Sequence, residues 1–344
     1  MELLETMAHE GHEQIIGVQD APSGLRAWIA IHGFSPKPAF GGIRIINYRS
    51  ERDALSDSLR LSRIMTYKCA LAGVHGSGAK TVVIANSIID RTAAIRCLGR
   101  QIERLDGAYQ TGPDAGFTAD DQHALMQETS HFACFGIDGG LQPAGEATAV
   151  GAIHGIISAL EWRGAPKVSE ATIAIQGLGA VGAALARRFV DLGATVIGAD
   201  VSAERTLAAE RIGVKVVSPK DILSIECDVL ISAAIGGTIH DVSISSIKAK
   251  IIAGVANNTL GHDSQADLLK EKGILFLPDF ALNSGALIEG SNHLHTGETS
   301  CPQQLEKIGS TIGEILSTAD SEKISTVEAA YSLAAERVIN TTGR

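Results

Sequence analysis

The 344-residue sequence is poor in aromatic residues, in basic residues and in paired cysteines. Aromatic side chains make up 4% of it, and 29 Lys and Arg stand against 39 Asp and Glu, which gives a formal net charge of -10. Phosphate binding needs a basic face, so an acidic chain is poorly suited to nucleic acid. No run approaches the roughly 20 apolar residues of a membrane-spanning helix. We therefore expect neither a nucleic-acid nor a membrane partner.

The five cysteines are scattered singly, at positions 69, 97, 134, 227 and 301, and none belongs to a C-x-x-C pair. The histidines show no metal-ligand spacing either, so the sequence predicts no metal site. Unpaired thiols in odd number are typical of a reducing compartment. The first residues, MELLETMAHEGHEQ, are acidic and lack the basic and then apolar pattern of a signal peptide. We expect a cytoplasmic protein without disulfides.

Apolar residues make up 45% of the chain, and its 37 glycines suit an α/β protein with many tight turns. The alternating run 25–34 predicts a strand, and 35–46 predicts a Pro/Gly turn that returns to a second strand. Residues 50–70 predict a helix capped by Ser50, after which a glycine loop and Lys80 lead to the buried strand 81–85. Further predictions in this half are a helix over 92–105 and a strand end, a loop and a capped helix start within 109–121.

After residue 140 the chain becomes glycine-rich and strongly helical, and from 171 onward buried strands alternate with helices. Three apolar runs follow, at 227–235, 250–257 and 273–282. Alternating strands and helices predict a parallel sheet with crossover helices. The length suits two domains. We predict an N-terminal α/β substrate and oligomerisation domain over 1–138, joined by a C-terminal helix at about 327–344, and a Rossmann-type dinucleotide-binding domain over 139–326.

Residues 177–182 read Gly-Leu-Gly-Ala-Val-Gly, a G-x-G-x-x-G pattern between a buried strand and a helix. Asp200 ends the next strand, 18 residues after the last glycine, at the spacing of an acid that binds the adenosine ribose. The other interpretation is a tight turn with a surface acid. Asp200 would repel a 2′-phosphate and the nearest arginine is Arg205, so NAD is favoured over NADP. The predicted cofactor contacts here are Gly177, Gly179, Ala180, Val181, Gly182 and Asp200.

Lys68 and Lys80 lie 12 residues apart at the ends of an otherwise uncharged stretch. A helix end and a glycine loop between them can bring both ammonium groups into one cleft, where two partly desolvated cations lower one pKa. One lysine could then hold a substrate carboxylate while the other acts as a base. Asp114, in the loop TGPDAG, is the third candidate. Taken singly, each of these residues is also typical of a surface or ion-pair position.

These stretches resemble the glutamate/leucine/phenylalanine/valine dehydrogenase superfamily, most closely its branch that acts on apolar amino acids. The resemblance runs nearly end to end. It implies NAD(P)-dependent oxidative deamination to a 2-oxo acid and ammonia, an active site in the cleft between the domains, and a homo-oligomer, either a dimer or an octamer. The matching segments are PAFGGIR (38–44), MTYKCA (65–70), SGAKTVVI (77–84), TGPDAG (111–116), GEATAVGA (145–152), QGLGAVG (176–182), IAGVANNTL (252–260) and PDFALNSGALI (278–288).

The resemblance also implies roles for single residues. Lys68 would bind the substrate α-carboxylate, Lys80 would activate the attacking water, and Asp114 would carry protons to and from the amine. The remaining substrate-side matches are Phe40, Gly41, Gly42, Pro113, Asn283 and Ser284, and those on the nicotinamide side are Thr148, Asn257 and Asn258.

Phe40 stands where the glutamate-specific branch has a lysine for the distal carboxylate. A ring offers no counter-charge, so the resemblance implies an apolar substrate, branched-chain or aromatic. Ser77 replaces a glycine that usually precedes the catalytic lysine, and it would be strained if that position needs a positive φ. Glu146 is either a helix-start acid or an acid facing the cleft, where it would favour an amine-bearing substrate. Two alternatives stay open: a dehydrogenase specialised for tryptophan or a modified amino acid, and a catalytically weak homologue that binds NAD.

Overall fold

The structure, a computed structural model, describes residues 2–33, 38–165, 167–234 and 236–342. The chain forms two compact units. One comprises Met1–Pro143, Leu287–Cys301 and Ala334–Arg344, and the other comprises Ala144–Ala286 and Pro302–Leu333. The domains predicted from the sequence are defined by their functions as well as by their boundaries, and both the boundaries and the functions stay predictions. The turn predicted at 35–37 lies outside the described residues.

The first unit contains a five-stranded mixed sheet in the order β1-β2-β4-β3-β5. Strand β3 runs parallel to both of its neighbours, whereas β2 is antiparallel to β1 and β4. Helices α3 and α4 pack against the sheet and form its main apolar core. The elements are α1 (Leu3–Glu10), β1 (His12–Asp20), β2 (Leu25–His32), β3 (Ala39–Ile46), α2 (Glu51–Ala72), β4 (Ser77–Ile84), a 3₁₀ turn (Ala85–Ser87), α3 (Arg91–Glu103), β5 (Tyr109–Pro113) and α4 (Ala119–Met126).

Helix α2 and strand β4 form the frame of this unit. The Ser50 side chain caps α2 by accepting from the Asp53 N–H, as the sequence predicts, and Gly73 ends the helix with φ 68°. Every residue of β4 is buried, because the strand lies between β2 and β3 and α2 packs on it. The sequence prediction of a loop up to Lys80 is wrong. The strand already begins at Ser77, so Lys80 is a strand residue.

The second unit contains a six-stranded parallel sheet in the order β11-β10-β9-β6-β7-β8. Counted in chain order from β8, this is the 3-2-1-4-5-6 arrangement of a dinucleotide-binding fold. The fold-class prediction is confirmed. The strands are β6 (Thr172–Gln176), β7 (Thr195–Ala199), β8 (Lys215–Val216), β9 (Val229–Ser232), β10 (Ile251–Gly254) and β11 (Leu275–Leu277).

Helices alternate with these strands, and α5 packs along α12. The strand predicted over 273–282 is shorter than expected, because Pro278 ends it and a short helix follows. Helices α11 and α13 contribute residues to both units. The helices are α5 (Ala144–Trp162), α6 (Ala180–Asp191), α7 (Ala203–Arg211), α8 (Asp241–Ile244), α9 (Gln265–Glu271), α10 (Asp279–Leu282), α11 (Gly285–Thr296), α12 (Pro302–Glu322) and α13 (Thr326–Thr342), with 3₁₀ turns at Val168–Glu170 and Ile222–Ser224.

Among the helices of the described ranges, none is long and apolar enough to cross a membrane. Within those same ranges, no three His, Cys, Asp or Glu side chains come together in a way that could hold a metal ion. All five cysteines are buried free thiols.

Candidate active site

A buried ion pair joins two strands of the first unit. Lys80 lies on β4, and Asp114 directly follows β5, so the two residues flank strand β3, which lies between those two strands. The Lys80 ammonium donates to Asp114 Oδ2 over 2.6 Å. Lys80 is only 5% exposed, so water contributes little to the stability of its charge. The structure thus brings together two of the three residues that the sequence singles out for chemistry.

Strand β3 allows this meeting because it carries no side chains at Gly41 and Gly42. A Cβ on Gly41 would overlap the backbone carbonyl of Ala79, the residue before Lys80. A Cβ on Gly42 would lie 3.0 Å from the Cβ of Asp114. Any side chain at position 41 would therefore push β3 away from β4 next to the lysine.

Arg44 is a second cation on the same carboxylate, and its motif in the sequence did not predict a role for it. Its Nε donates to Asp114 Oδ2 over 3.1 Å, and its Nη1 donates to Asp57 Oδ2 over 3.2 Å. Asp57 also accepts from the Tyr48 hydroxyl over 2.6 Å and from Arg60 over 2.7 Å. The available signal was an arginine inside the otherwise apolar strand β3, since such a residue needs a buried acid.

The charges of this cluster shift one another's pKa values. Burial lowers the pKa of Lys80, Asp114 opposes that shift, and Arg44 adds to it, so the pKa stays below the usual lysine range. Burial alone would raise the pKa of Asp114, but Lys80 and Arg44 outweigh it and hold the pKa well below its usual range. The cation named from the sequence for lowering the Lys80 pKa was Lys68, whereas in the structure burial comes first and Arg44 supplies the cationic contribution.

The other substrate-side positions of this unit lie on α2, β3 and β5. Lys68 is half-buried on α2 next to Cys69, on whose buried thiol its charge acts. Phe40 is 7% exposed, and its ring covers Gly76, where an added Cβ would lie 2.7 Å from the ring. Pro113 is half-buried as the last residue of β5. These residues stay predicted substrate contacts.

Ser77 fits the backbone without the strain that a positive φ would cause at this position. Among the described residues other than glycine, only Asp106, Asn258 and Lys323 have a positive φ. Ser77 has an ordinary φ and is buried at the start of β4. The exchange of glycine for serine is therefore compatible with this backbone.

In the second unit, the structure joins one predicted substrate residue to one predicted cofactor residue. The Asn283 side-chain amide donates to Asn257 Oδ1 over 3.1 Å. Asn258, beside it, has a left-handed φ of 56°. The hydroxyls of Ser284 and Thr148 each donate to backbone carbonyls one turn earlier in the chain, at 3.1 Å and 2.8 Å. The side chains of Asn257 and Asn283 are therefore held together by a hydrogen bond, whereas the hydroxyls of Ser284 and Thr148 bond to nearby backbone carbonyls.

The glycine pattern forms a tight turn between β6 and α6. Gly177 has φ 91°, a left-handed conformation that favours glycine, and its N–H donates to the carbonyl of Ala199 over 2.8 Å. Gly182 packs so closely that an added Cβ would overlap the Gly177 carbonyl. The turn leads into α6, whose first residues are Ala180 and Val181.

Gly179 leaves open space above the N-terminus of α6. Within 4 Å of an added Cβ, the nearest atom there is Arg205 Nη1 at 3.8 Å. Exposed backbone N–H groups at a helix N-terminus are suited to a pyrophosphate, so these residues fit a dinucleotide cofactor. The turn and Asp200 would hold it, and the cofactor would supply a hydride acceptor.

Asp200 is tied to this turn. Its Oδ2 accepts from the Leu178 N–H over 2.7 Å and its Oδ1 from the Ser202 N–H over 2.9 Å. Arg205 lies 3.5 Å from the same carboxylate. Burial alone would raise the pKa of Asp200, but these N–H groups and Arg205 lower it, so the group is anionic at neutral pH. Oδ1 accepts from the Ser202 N–H and keeps a second lone pair, so a ribose hydroxyl can still donate to it.

Glu146, for which the sequence left two interpretations, is the third residue of α5. It forms ion pairs with Arg187 and with Arg188 of α6, the latter over 3.1 Å. The carboxylate is thereby neutralised by two arginines, which supports the structural interpretation over that of an acid kept for a substrate amine.

Comparisons with known proteins identify the family. The family model for the Glu/Leu/Phe/Val dehydrogenase dimerisation domain matches residues 12–131, and that for Glutamate/Leucine/Phenylalanine/Valine dehydrogenase matches residues 201–343. The NAD-binding domain of D-isomer specific 2-hydroxyacid dehydrogenases matches residues 151–242.

Whole-chain relatives lead to the same family. The chain is 38% identical to leucine dehydrogenase from Geobacillus stearothermophilus, covering 98% of this chain and 94% of that protein. It is 36% identical to phenylalanine dehydrogenase from Caldalkalibacillus thermarum, covering 95% and 91%. The crystal structure of L-tryptophan dehydrogenase from Nostoc punctiforme matches with TM-score 0.86 at 34% identity, covering 99% and 100%. The chain therefore belongs to the Glu/Leu/Phe/Val dehydrogenase family, as an amino acid dehydrogenase that uses a nicotinamide cofactor.

Proposed function

We propose that the protein catalyses the NAD-dependent oxidative deamination of an apolar L-amino acid, branched-chain or aromatic, and the reverse reductive amination. The observation that carries this proposal is the buried Lys80–Asp114 pair, joined over 2.6 Å. A lysine is a useful base near neutral pH only when its pKa is lowered, and burial lowers the pKa here. An ordinary surface lysine would stay charged.

Lys80 and Asp114 divide the proton transfers. In our proposal neutral Lys80 takes a proton from the water that attacks the imino carbon, and Asp114 exchanges protons with the nitrogen. Asp114 becomes a better proton acceptor once Lys80 is neutral, because it loses one of two cations that depress its pKa. Lys68 holds the α-carboxylate. A bound nicotinamide cofactor would supply the acceptor for the hydride that leaves Cα.

The cofactor is placed in our proposal by residues of the second unit. The turn 177–182 contacts the pyrophosphate, and the anionic Asp200 accepts from the ribose hydroxyls, which favours NAD over NADP. Thr148, Asn257 and Asn258 contact the nicotinamide side. The 3.1 Å hydrogen bond from Asn283 fixes the orientation of the Asn257 side chain, which supports a role of Asn257 in contacting the nicotinamide.

An apolar substrate side chain is supported by the lack of a counter-charge at Phe40. Arg44 is engaged by two carboxylates and so is not available to a second substrate carboxylate. Desolvating an unpaired carboxylate would reject glutamate strongly. The named relatives act on leucine, phenylalanine and tryptophan. Tryptophan is our second candidate, because a tryptophan dehydrogenase structure matches the chain over its whole length.

The dimerisation-domain match supports a homo-oligomer, which we propose is a dimer or an octamer. We also propose a cytoplasmic location, because buried free thiols such as Cys69 and Cys97 suit a reducing compartment.

The test is a screen of NADH and NADPH formation at 340 nm with the twenty L-amino acids. Lys80→Ala should abolish turnover while Lys68→Ala should mainly raise KM for the amino acid. Lys250→Ala is the matched control, because Lys250 forms a 2.9 Å ion pair with Asp228 in the other unit. It should keep the wild-type rate. NAD binding without turnover of any amino acid would instead support the catalytically weak homologue.

A further inference from the structure

We propose that Arg44 is a positioning residue that holds Asp114 ionised and in place while Lys80 gives up its proton. This inference rests on the proposed function, in which Lys80 acts in its neutral form. Arg44 belongs to the motif PAFGGIR, but neither that motif nor the names of the relatives give it a role. Asp57 and Tyr48 complete the arrangement, because they fix the arginine from its other side.

Arg44 shares a carboxylate oxygen with Lys80 and is held by a second carboxylate. Its Nε bonds to Asp114 Oδ2, the same oxygen that accepts from Lys80. Its Nη1 reaches Asp57, so the guanidinium bridges two carboxylates. The exposed fractions of the side chains are 12% for Arg44, 15% for Asp57, 19% for Asp114 and 7% for Lys80. The cluster is thus mostly screened from water.

The charge balance explains what Arg44 does. If Lys80 lost its proton and Arg44 were absent, Asp114 would be left as a buried carboxylate without a close counter-charge, which is costly. Arg44 stays charged at any working pH and remains on that carboxylate. Without Arg44, the Lys80 proton would be the main counter-charge of Asp114, so the lysine would keep it. With Arg44 in place, Asp114 can stay ionised when Lys80 is neutral, although its pKa is then less depressed.

Charged and titratable groups surround the pair on several elements. Tyr48 and Tyr109 keep their protons, because burial raises the pKa of both. The hydroxyl of Tyr109 is used in hydrogen bonds to Thr81 and Gly41. The charged groups that act on Lys80 are Arg44 on β3, Asp57 on α2 and Asp114 after β5, and Asp57 is itself paired with Arg60.

The experiment compares the pH dependence of kcat/KM in the wild type, Arg44→Gln and Arg44→Lys. In Arg44→Gln the acidic limb should move up by about one to two pH units, since one positive charge a few ångströms from Lys80 is lost. Arg44→Lys restores the charge but cannot bridge two carboxylates, so it should recover part of the shift. The control is Arg91→Gln. Arg91 makes two hydrogen bonds to Asp121 in the same unit, so this variant should lose stability without moving the limb.

A second readout separates this inference from the proposed function. The ¹³Cε resonance of Lys80, assigned with Lys80→Arg, reports its titration without any substrate. An upward shift in Arg44→Gln supports the inference even if no amino acid is turned over. Turnover with an unchanged Lys80 titration would overturn it. If Arg44→Gln does not fold, Tyr48→Phe removes the 2.6 Å hydrogen bond on Asp57 and should shift the titration upward by less. An unchanged titration there would equally overturn the inference.

Discussion

Replacing Asp114 by Asn should expose the energetics of the buried pair directly. The amide keeps the size and one acceptor oxygen but removes the charge that Lys80 faces over 2.6 Å. Arg44 keeps a carboxylate partner in Asp57. Lys80 loses its anionic partner in a place where it is 5% exposed. We expect it to release its proton rather than stay buried and charged.

The pH sets an upper limit on how much stability the Asp114→Asn variant loses through Lys80. Releasing a proton from a lysine with an unfolded pKa of about 10.4 costs about 1.4 kcal/mol for each pH unit below that value. The penalty on the Lys80 side therefore cannot exceed about 3 kcal/mol at pH 8 or about 2 kcal/mol at pH 9. A folded pKa below the unfolded one means stability is lost as pH falls. The variant should thus approach the wild type in stability as the pH rises toward 10.

Urea unfolding at pH 8, 9 and 10 measures this dependence, and NADH formation at 340 nm measures activity. We expect activity to fall by about 10²- to 10⁴-fold, the usual contribution of a positioned proton-transfer group. Asp121→Asn is the matched control. It removes a buried carboxylate that accepts from Arg91 over 2.8 Å and 2.6 Å, so it should lose stability but keep activity. A pH-independent stability loss in Asp114→Asn, or full activity, would refute this reasoning.

Two further predictions concern other parts of the molecule. Asp200→Ser should raise the NADP-to-NAD ratio of kcat/KM at least about ten-fold, because it frees Arg205, now 3.5 Å from Asp200, for a 2′-phosphate. Adding Arg205→Gln should cancel the gain, and an unchanged ratio in Asp200→Ser would count against the ribose contact. Burial lowers the pKa of His32 to about 4, so its contribution is complete above about pH 6.5 and is lost as the pH falls. The free energy of unfolding should drop by about 2 kcal/mol between pH 8 and pH 5 through this group; urea unfolding of the wild type and His32→Gln at both values tests it, and equal losses would contradict it.

Features that depend on short stretches of chain could be predicted from the sequence. Ser50 identifies the start of α2, because its hydroxyl caps the helix three residues on. The glycine pattern 177–182 identifies a strand–turn–helix segment, because the positive φ at Gly177 is a local preference of glycine that does not depend on distant residues. The alternation of strands and helices after 171 indicates the parallel sheet for the same reason.

Features that depend on residues distant in the chain could not be predicted from the sequence. The stretch before Lys80 has the composition of a loop, yet it is a strand because α2 packs against Gly78, where an added Cβ would overlap the Ser62 carbonyl. Packing with a distant element overrides local preference there. The bridge from Arg44 to Asp57 and Asp114 joins three elements, and no spacing in the sequence shows which acid an arginine meets.

The bare stretch of β3 at Gly41 and Gly42 limits how this enzyme can change. A side chain at Gly41 would displace the backbone of Ala79 and with it Lys80, and a side chain at Gly42 would press on Asp114. With Phe40 in its proposed role as a substrate contact, we expect substrate range to vary through that position, because its ring can change size while the strands keep their spacing. Engineering efforts should treat the two glycines as fixed and search around them.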